Sequence, residues 1–444
     1  TGTANSGGII QNKSGGDVTS GSARTLTGTT DGVGVYLRNA SAVSLDRMDL
    51  QTFSNFAIFG DTVAGFTINN STLGGTNGNN AGQDEGGLKL AGLTGTAGFL
   101  NTTFGGTSMA LVTHVVNTAG TLNLTVSGST ISNPASATGD DGMLLEAYGT
   151  ATITALVENN TFTANRGDHF QAAAGNNAAG SSGNLNITFR NNTLTGGHTT
   201  ALGQGVTINA AGQSPAYAGT VIYDIDNNTI NSAILSAITV NLGSSGPAAL
   251  FRGFVRNNDI GTQAVVNSGS AQGFGIAIDA HGNGTHTLSV TDNVVRQAFD
   301  RAISVLANDG NGVLNLTVQG NDLAVSADPG GSRESFFLNN ASTTTNIFGL
   351  VDSHTVRLDL GGAGALANIL THGVGAPDDF RIRQRFDSRI EMPGYGGTAF
   401  DTAAVVAYIR GRNTGSAGEP GSATANNSLA VTTDGFFNGT VPVP

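Results

Sequence analysis

At 444 residues, with 66 Gly, no Cys, no Trp and only 11% charged residues, the chain can bury a large core and needs no disulfide. A net charge of −12 excludes a duplex nucleic-acid binder, which needs a basic face. No apolar run of about 18 residues occurs, which excludes a transmembrane helix.

The chain begins at Thr1, without Met and without a signal-like stretch, and reads as a processed form or part of something longer. Residues 1–32 are rich in Gly, Ser and Thr, with a coil fragment at 6–12. From Val33 onward short segments alternate apolar and small polar residues. One phrase then returns: V-E-N-N-T-F at 157–162, F-R-N-N-T-L at 189–194, I-D-N-N-T-I at 225–230 and V-R-N-N-D-I at 255–260. Weaker copies precede and follow it. The last apolar residue of each copy falls at 73, 104, 131, 162, 194, 230, 260, 295 and 323, at intervals of 27 to 36 residues. That period predicts a solenoid with a fixed strand part and a variable loop part.

Two positions before that last apolar residue stand Ser71, Thr102 and Ser129, then Asn160, Asn192, Asn228, Asn258, Asn293 and Asn321. Asn tolerates left-handed backbone and bonds neighbouring main chain, so the slot is expected at a tight bend between strands. If the repeats stack as coils, successive Asn lie about 4.8 Å apart and can bond amide to amide.

Each full repeat has a strand of small and aliphatic residues, such as 143–145 or 276–278, and a Gly/Asn-rich loop. A strand of clean period two follows, such as L-N-L-T-V at 122–126, then the bend and a short third segment. Between strands there is no helical periodicity, so βαβ crossovers are not expected. Parallel return without helices implies an all-β fold, a parallel β-helix of about ten coils over 1–370.

Residues 371–413 read as a cap. Asp379 to Met392 alternate apolar and Arg-rich positions, and Asp401 precedes the one strong helix pattern, A-A-V-V-A-Y-I. The helix is expected to cover the last coil, whose edge would otherwise be open. Residues 414–444 read as a flexible linker and an extended tail ending V-P-V-P.

The N-N-T repeats, the stretch N-R-G-D-H-F at 165–170 and the segment 379–413 resemble the β-strand-repeat, right-handed parallel β-helix regions of very large secreted bacterial surface proteins. The resemblance implies the fold and a secreted, cell-surface setting. It offers no catalytic residues to carry over.

Candidate chemistry is sparse. Asp140 and Asp141 sit in G-D-D-G, and paired carboxylates can work on a glycosidic bond. The N-T-D and R-x-K companions of a pectin hydrolase are missing, and a turn with solvated Asp is the simpler reading. Asp279, Asp292, Asp300 and Asp309 are spread over two coils and are expected in surface ion pairs. The stretch 308–312, N-D-G-N-G, lacks the closing Glu of an EF-hand and reads as a turn. Arg166-Gly167-Asp168 is too short a signal to imply adhesion. The seven His show no metal-ligand spacing, so neither metal nor cofactor is expected.

These observations favour a non-enzymatic, extracellular structural unit that meets other copies of itself. Arg381, Arg383 and Arg385, with Phe436, Phe437, Val441 and Val443 of the tail, are the expected self-association residues. The rival reading is a polysaccharide-degrading or glycan-binding β-helix, with surface glycans as partners.

Overall fold

Period-two alternation becomes parallel strands in the computed structural model. It describes residues 7–16, 31–83, 85–108, 110–133, 140–175, 181–196, 198, 202–210, 217–244, 246, 248–328, 330, 333–341, 352–374, 378–415, 422–426 and 435–444. The chain divides into two compact units, Thr1–Gly175 with Ser182–Thr207, and Asn176–Ser181 with Ile208–Pro444.

In the first unit a full coil carries three strands. Thr121–Ser127 pairs in parallel with Thr152–Glu158, and that strand with Asn184–Arg190. The register puts Leu122, Ile153 and Leu185 in one inward row, and Val126, Val157 and Phe189 in another. All six are buried. A second column holds Thr113–Asn117, Met143–Ala147 and Phe170–Ala174. A third holds the short strands after the bend, from Thr103–Phe104 through Thr130–Ser132 and Thr161–Thr163 to Thr193–Thr195. In the early coils the first two columns merge into long strands such as Ile58–Asn69. Its bend lies inside the strand, where Thr62 and Gly65 have φ of 60° and 82°.

The second unit repeats the plan. Thr220–Asp226, Leu250–Arg256, Thr285–Thr291, Val313–Gln319, Thr355–Leu360, Arg389–Met392 and Gly435–Asn438 form one parallel column. Ile238–Ser244, Ile276–Gly282, Ile303–Asn308, Phe336–Asn340, Phe380–Arg385 and Ser422–Asn426 form another. Parallel sheets throughout, with one α-helix among the described residues, make this an all-β parallel β-helix. The helix is Thr402–Arg410, capped as expected by Asp401, whose side chain accepts from Ala404 N at 2.9 Å. It buries Val405 and Ile409 and packs beside Ser422–Asn426. Residues 414–444, set apart in the sequence as linker and tail, carry three strands that add to the three columns. Those strands extend the stack because the register of the preceding coil offers them unpaired backbone groups.

The bend divides labour between two residues. The left-handed conformation belongs to the residue before the slot: φ is 56° at Asn159, 55° at Asn191, 54° at Asn227 and 56° at Asn257. Gly128 and Gly320 occupy the same position at 64° and 69°. The slot residue itself turns inward and is buried, from Ser71 through Asn321. In the first unit Thr102 N donates to Ser129 Oγ, Ser129 N to Asn160 Oδ1, and Asn160 N to Asn192 Oδ1, at 3.1, 2.9 and 2.9 Å. In the second, Asn258 donates to Asn293 Oδ1 from both its backbone N (3.0 Å) and its Nδ2 (2.9 Å). Asn293 treats Asn321 alike, and Asn321 treats Asn368 alike. Asn368 Nδ2 then donates to Asn413 Oδ1 at 2.8 Å. Each amide thus satisfies an inward-turned N–H that the core could not leave unpaired.

Packing between coils is equally specific. Gly253 sits in register beside Tyr223, in a row whose next member is Leu288. A Cβ on Gly253 would lie 2.1 Å from the Tyr223 ring. The small residue makes room for the large one. Gly253→Ala is therefore expected to cost about 1–3 kcal/mol by overpacking, read as a lower urea midpoint with an unchanged m-value. An unchanged midpoint would show that the ring can move aside.

Candidate functional site

The tail residues do not form one patch with the arginines. Arg381, Arg383 and Arg385 alternate outward along Phe380–Arg385, with Phe380, Ile382 and Gln384 inward. Phe436, by contrast, stacks on Ile390 in another column and is fully buried. Phe437 lies under the Arg389 guanidinium, 4.4 Å from its ring centre. Val441 is half-buried and Val443 is 72% exposed.

Around the Arg strand the ion pairs are unequal. Arg381 meets Glu334 at 2.9 Å and Asp378 at 3.7 Å. Arg301 also meets Glu334, at 3.2 Å, and Asp300 bridges Arg301 and Arg333. Arg301 and Arg383 both face the ring of Phe337, at 4.2 and 5.4 Å. Burial and the neighbouring Arg381 and Arg385 charges hold Arg383 below the ordinary guanidinium pKa.

In the first unit Asp140 is exposed but Asp141 is buried, so the expected solvated turn holds for one of the two only. Asp141 Oδ1 accepts from Asp168 N at 2.7 Å. Asp168 in turn accepts from Gln204 N at 2.8 Å and from the Thr207 hydroxyl. Burial first, then the Asp168 and Asp140 charges, hold the Asp141 carboxyl well above the usual carboxylate range. Burial raises Asp168 too, against the Thr207 and Gln204 hydrogen bonds. These carboxylates are tied to main chain of neighbouring coils. In Arg166-Gly167-Asp168 the Asp is thereby committed within the fold.

A polar cluster the sequence did not reveal lies on the outward side of the same unit. His114 Nε2 is 2.6 Å from Glu146 Oε2, and the Tyr148 hydroxyl donates to Glu146 Oε1. Lys89 is the register neighbour of His114, and Lys89, His114 and Glu146 are all buried. The only signal was the alternation L-K-L at 88–90, which sets Lys outward.

In the second unit Asp309 meets His281 at 3.4 Å, at the turn formed by 308–312. His354 and His286 are buried nearby, and burial lowers their pKa to about 4 and about 3. Among the described residues no group of three or more His, Asp or Glu is placed to hold a metal ion. No described helix is long and apolar enough to cross a membrane. Comparison with known proteins adds nothing further: no family model, no curated protein and no solved structure matches the chain.

Proposed function

We propose that the chain is a non-enzymatic, extracellular structural unit, a β-helical spacer that joins other copies of itself end to end. One observation carries the reading. The described terminal strands pair with another strand on one side only: Ile9–Lys13 with Asp49–Phe53, and Ser422–Asn426 and Gly435–Asn438 with the coil before them, although the outer edge of the last is already met by Ala399 O at Phe436 N. Such edges accept a further strand, and a head-to-tail contact that does not close makes a filament. The polar interior groups support the same reading, because the ladder amides and the Asp141–Asp168 pair serve coil-to-coil bonding.

The test compares the full chain with one ending at Asn413, by sedimentation velocity and negative-stain imaging. Circular dichroism checks that the shortened chain stays folded. Concentration-dependent, end-joined assemblies of the full chain that are lost on truncation are the expected outcome. Assemblies of equal length from both chains, or none from either, would reject the role of these edges.

A further inference from the structure

We propose that the outward row Arg381–Arg383–Arg385, with Asn339 beside it, binds a linear carboxylated glycan. The chain carries a net charge of −12, yet this strand presents three guanidinium groups on one face. Residues two apart on a strand are about 6.7 Å apart, so the row offers evenly spaced charge along its length. Arg381 is neutralised by Glu334 and Asp378. Arg383 and Arg385 enter no ion pair among the described residues. The acid that acts on Arg383 is Glu334, already shared by Arg301 and Arg381, so the row carries more positive charge than its own acids answer, which suits an external anion. The Arg301 and Arg383 guanidinium carbons lie 4.2 and 5.4 Å from the centre of the Phe337 ring, a contact that restrains Arg383 before any ligand arrives. A pre-set planar fork suits the two oxygens of a carboxylate.

Asn339 decides between classes of anion. It is the register neighbour of Arg383, on the same outward face, and only 9% exposed. Its Oδ1 has no hydrogen-bond partner. This acceptor is closed to solvent in the unliganded chain and has to turn outward to be met; a ligand that donates a hydrogen bond as well as bringing negative charge would then satisfy it together with the cations beside it. A uronic-acid polymer does both, with its hydroxyls and its carboxylates on one repeating unit. The carboxylate side chains of an acidic peptide, and a fully deprotonated anion such as sulfate, supply the charge without the hydroxyl donor.

The test uses the full chain and polygalacturonate as probe, in affinity electrophoresis and calorimetry at low and physiological salt. Dextran serves as the neutral control, dextran sulfate as the sulfated glycan and polyglutamate as the acidic peptide. Polygalacturonate is expected to retard the chain, and dextran is not. The double variant R383Q/R385Q should weaken polygalacturonate at least tenfold, and N339L should weaken it several-fold while leaving polyglutamate unaffected. The pair R383K/R385K keeps charge but loses the fork, and should fall between wild type and the Gln pair. It also serves if the Gln pair fails to fold. Retardation by dextran sulfate alone would shift the ligand to a sulfated glycan and overturn the carboxylate assignment. The proposal also fails if polyglutamate binds as tightly as polygalacturonate with the same variant pattern, if R383Q/R385Q or R383K/R385K binds like wild type, or if nothing binds. End-to-end assembly is measured without glycan, so its failure and this one are separable.

Discussion

Replacing Asn293 by Ala is expected to destabilise the second unit by about 3 kcal/mol, the combined effect of orphaning buried groups on both sides. Asn293 is fully buried. Its Oδ1 accepts from Asn258 N and Asn258 Nδ2, at 3.0 and 2.9 Å. Its Nδ2 donates to Val255 O at 2.8 Å and to Asn321 Oδ1 at 2.9 Å. An Ala leaves the Asn258 N–H and the Val255 carbonyl without these partners, in a place where water does not reach. Asn293→Asp should be worse at neutral pH. It keeps the acceptor but sets a negative charge against Val255 O and Asn321 Oδ1. Asn293→Thr should cost less than Ala, because Thr102 and Ser129 fill the equivalent slot in the first unit with a hydroxyl that accepts the same N–H. Urea titrations of the three variants give the order directly. Equal midpoints for all three would mean that the ladder contributes nothing beyond volume.

The second large effect is loss of stability in mild acid. Burial lowers His354 to about 4, with the neighbouring His281 charge working the same way and Asp352 against it. Burial, His354 and His281 lower His286 to about 3. In the unfolded chain both titrate near 6.5. Between that value and the folded one the unfolded state binds more protons, so stability is full above about pH 6.5 and falls as pH drops toward 4. A shift of this size corresponds to about 3 kcal/mol for His354. Burial raises Asp279, Asp300, Asp309 and Asp359 of the same unit, and these work in the opposite sense, gaining stability as they protonate. The net loss should therefore be steepest between about pH 6.5 and 5. His354→Asn should flatten that slope, seen as a urea midpoint that changes less between pH 7 and 5 than in the parent chain. A slope unchanged by the substitution would place the acid sensitivity elsewhere.

Much of this was legible in the chain because alternation and period are local properties. The repeat of N-N-T fixed coil length, and L-N-L-T-V fixed which face turns inward. Asp401 announced its helix through a hydrogen bond to a residue three positions on, which any chain segment can make alone. The bend was read one residue out of place. Two adjacent Asn share it, the first for its left-handed backbone and the second for its buried amide, and the letters do not say which is which. The ladder also runs further than the phrase. Asn368 and Asn413 follow Asn321 after 47 and 45 residues. Before Asn368 stands Ala367, at an extended φ of −69°. With the left-handed Asn gone and the loop lengthened, the phrase disappears although the slot persists.

Contacts between coils were not legible. Gly253 looks like a flaw in a strand until Tyr223 is set beside it. Lys89, His114 and Glu146 occupy outward positions that alternation assigns to solvent, yet all three are buried. What packs outside a sheet is a tertiary fact, and no period in the strand encodes it. Asp141 illustrates the same limit, since Asp168, from the next coil, is what makes it more than a turn residue.

Side-chain amide hydrogen exchange tests the stacked, internally bonded coil most directly, because each repeat supplies its own reference. Asn257 is exposed at the left-handed position, and Asn258 beside it is buried in the ladder. The NH2 groups of Asn258, Asn293 and Asn321 are expected to exchange only through global unfolding, with the free energy of the whole unit, while Asn257 exchanges quickly. Ladder amides that exchange as fast as Asn257 under native conditions would contradict the stack.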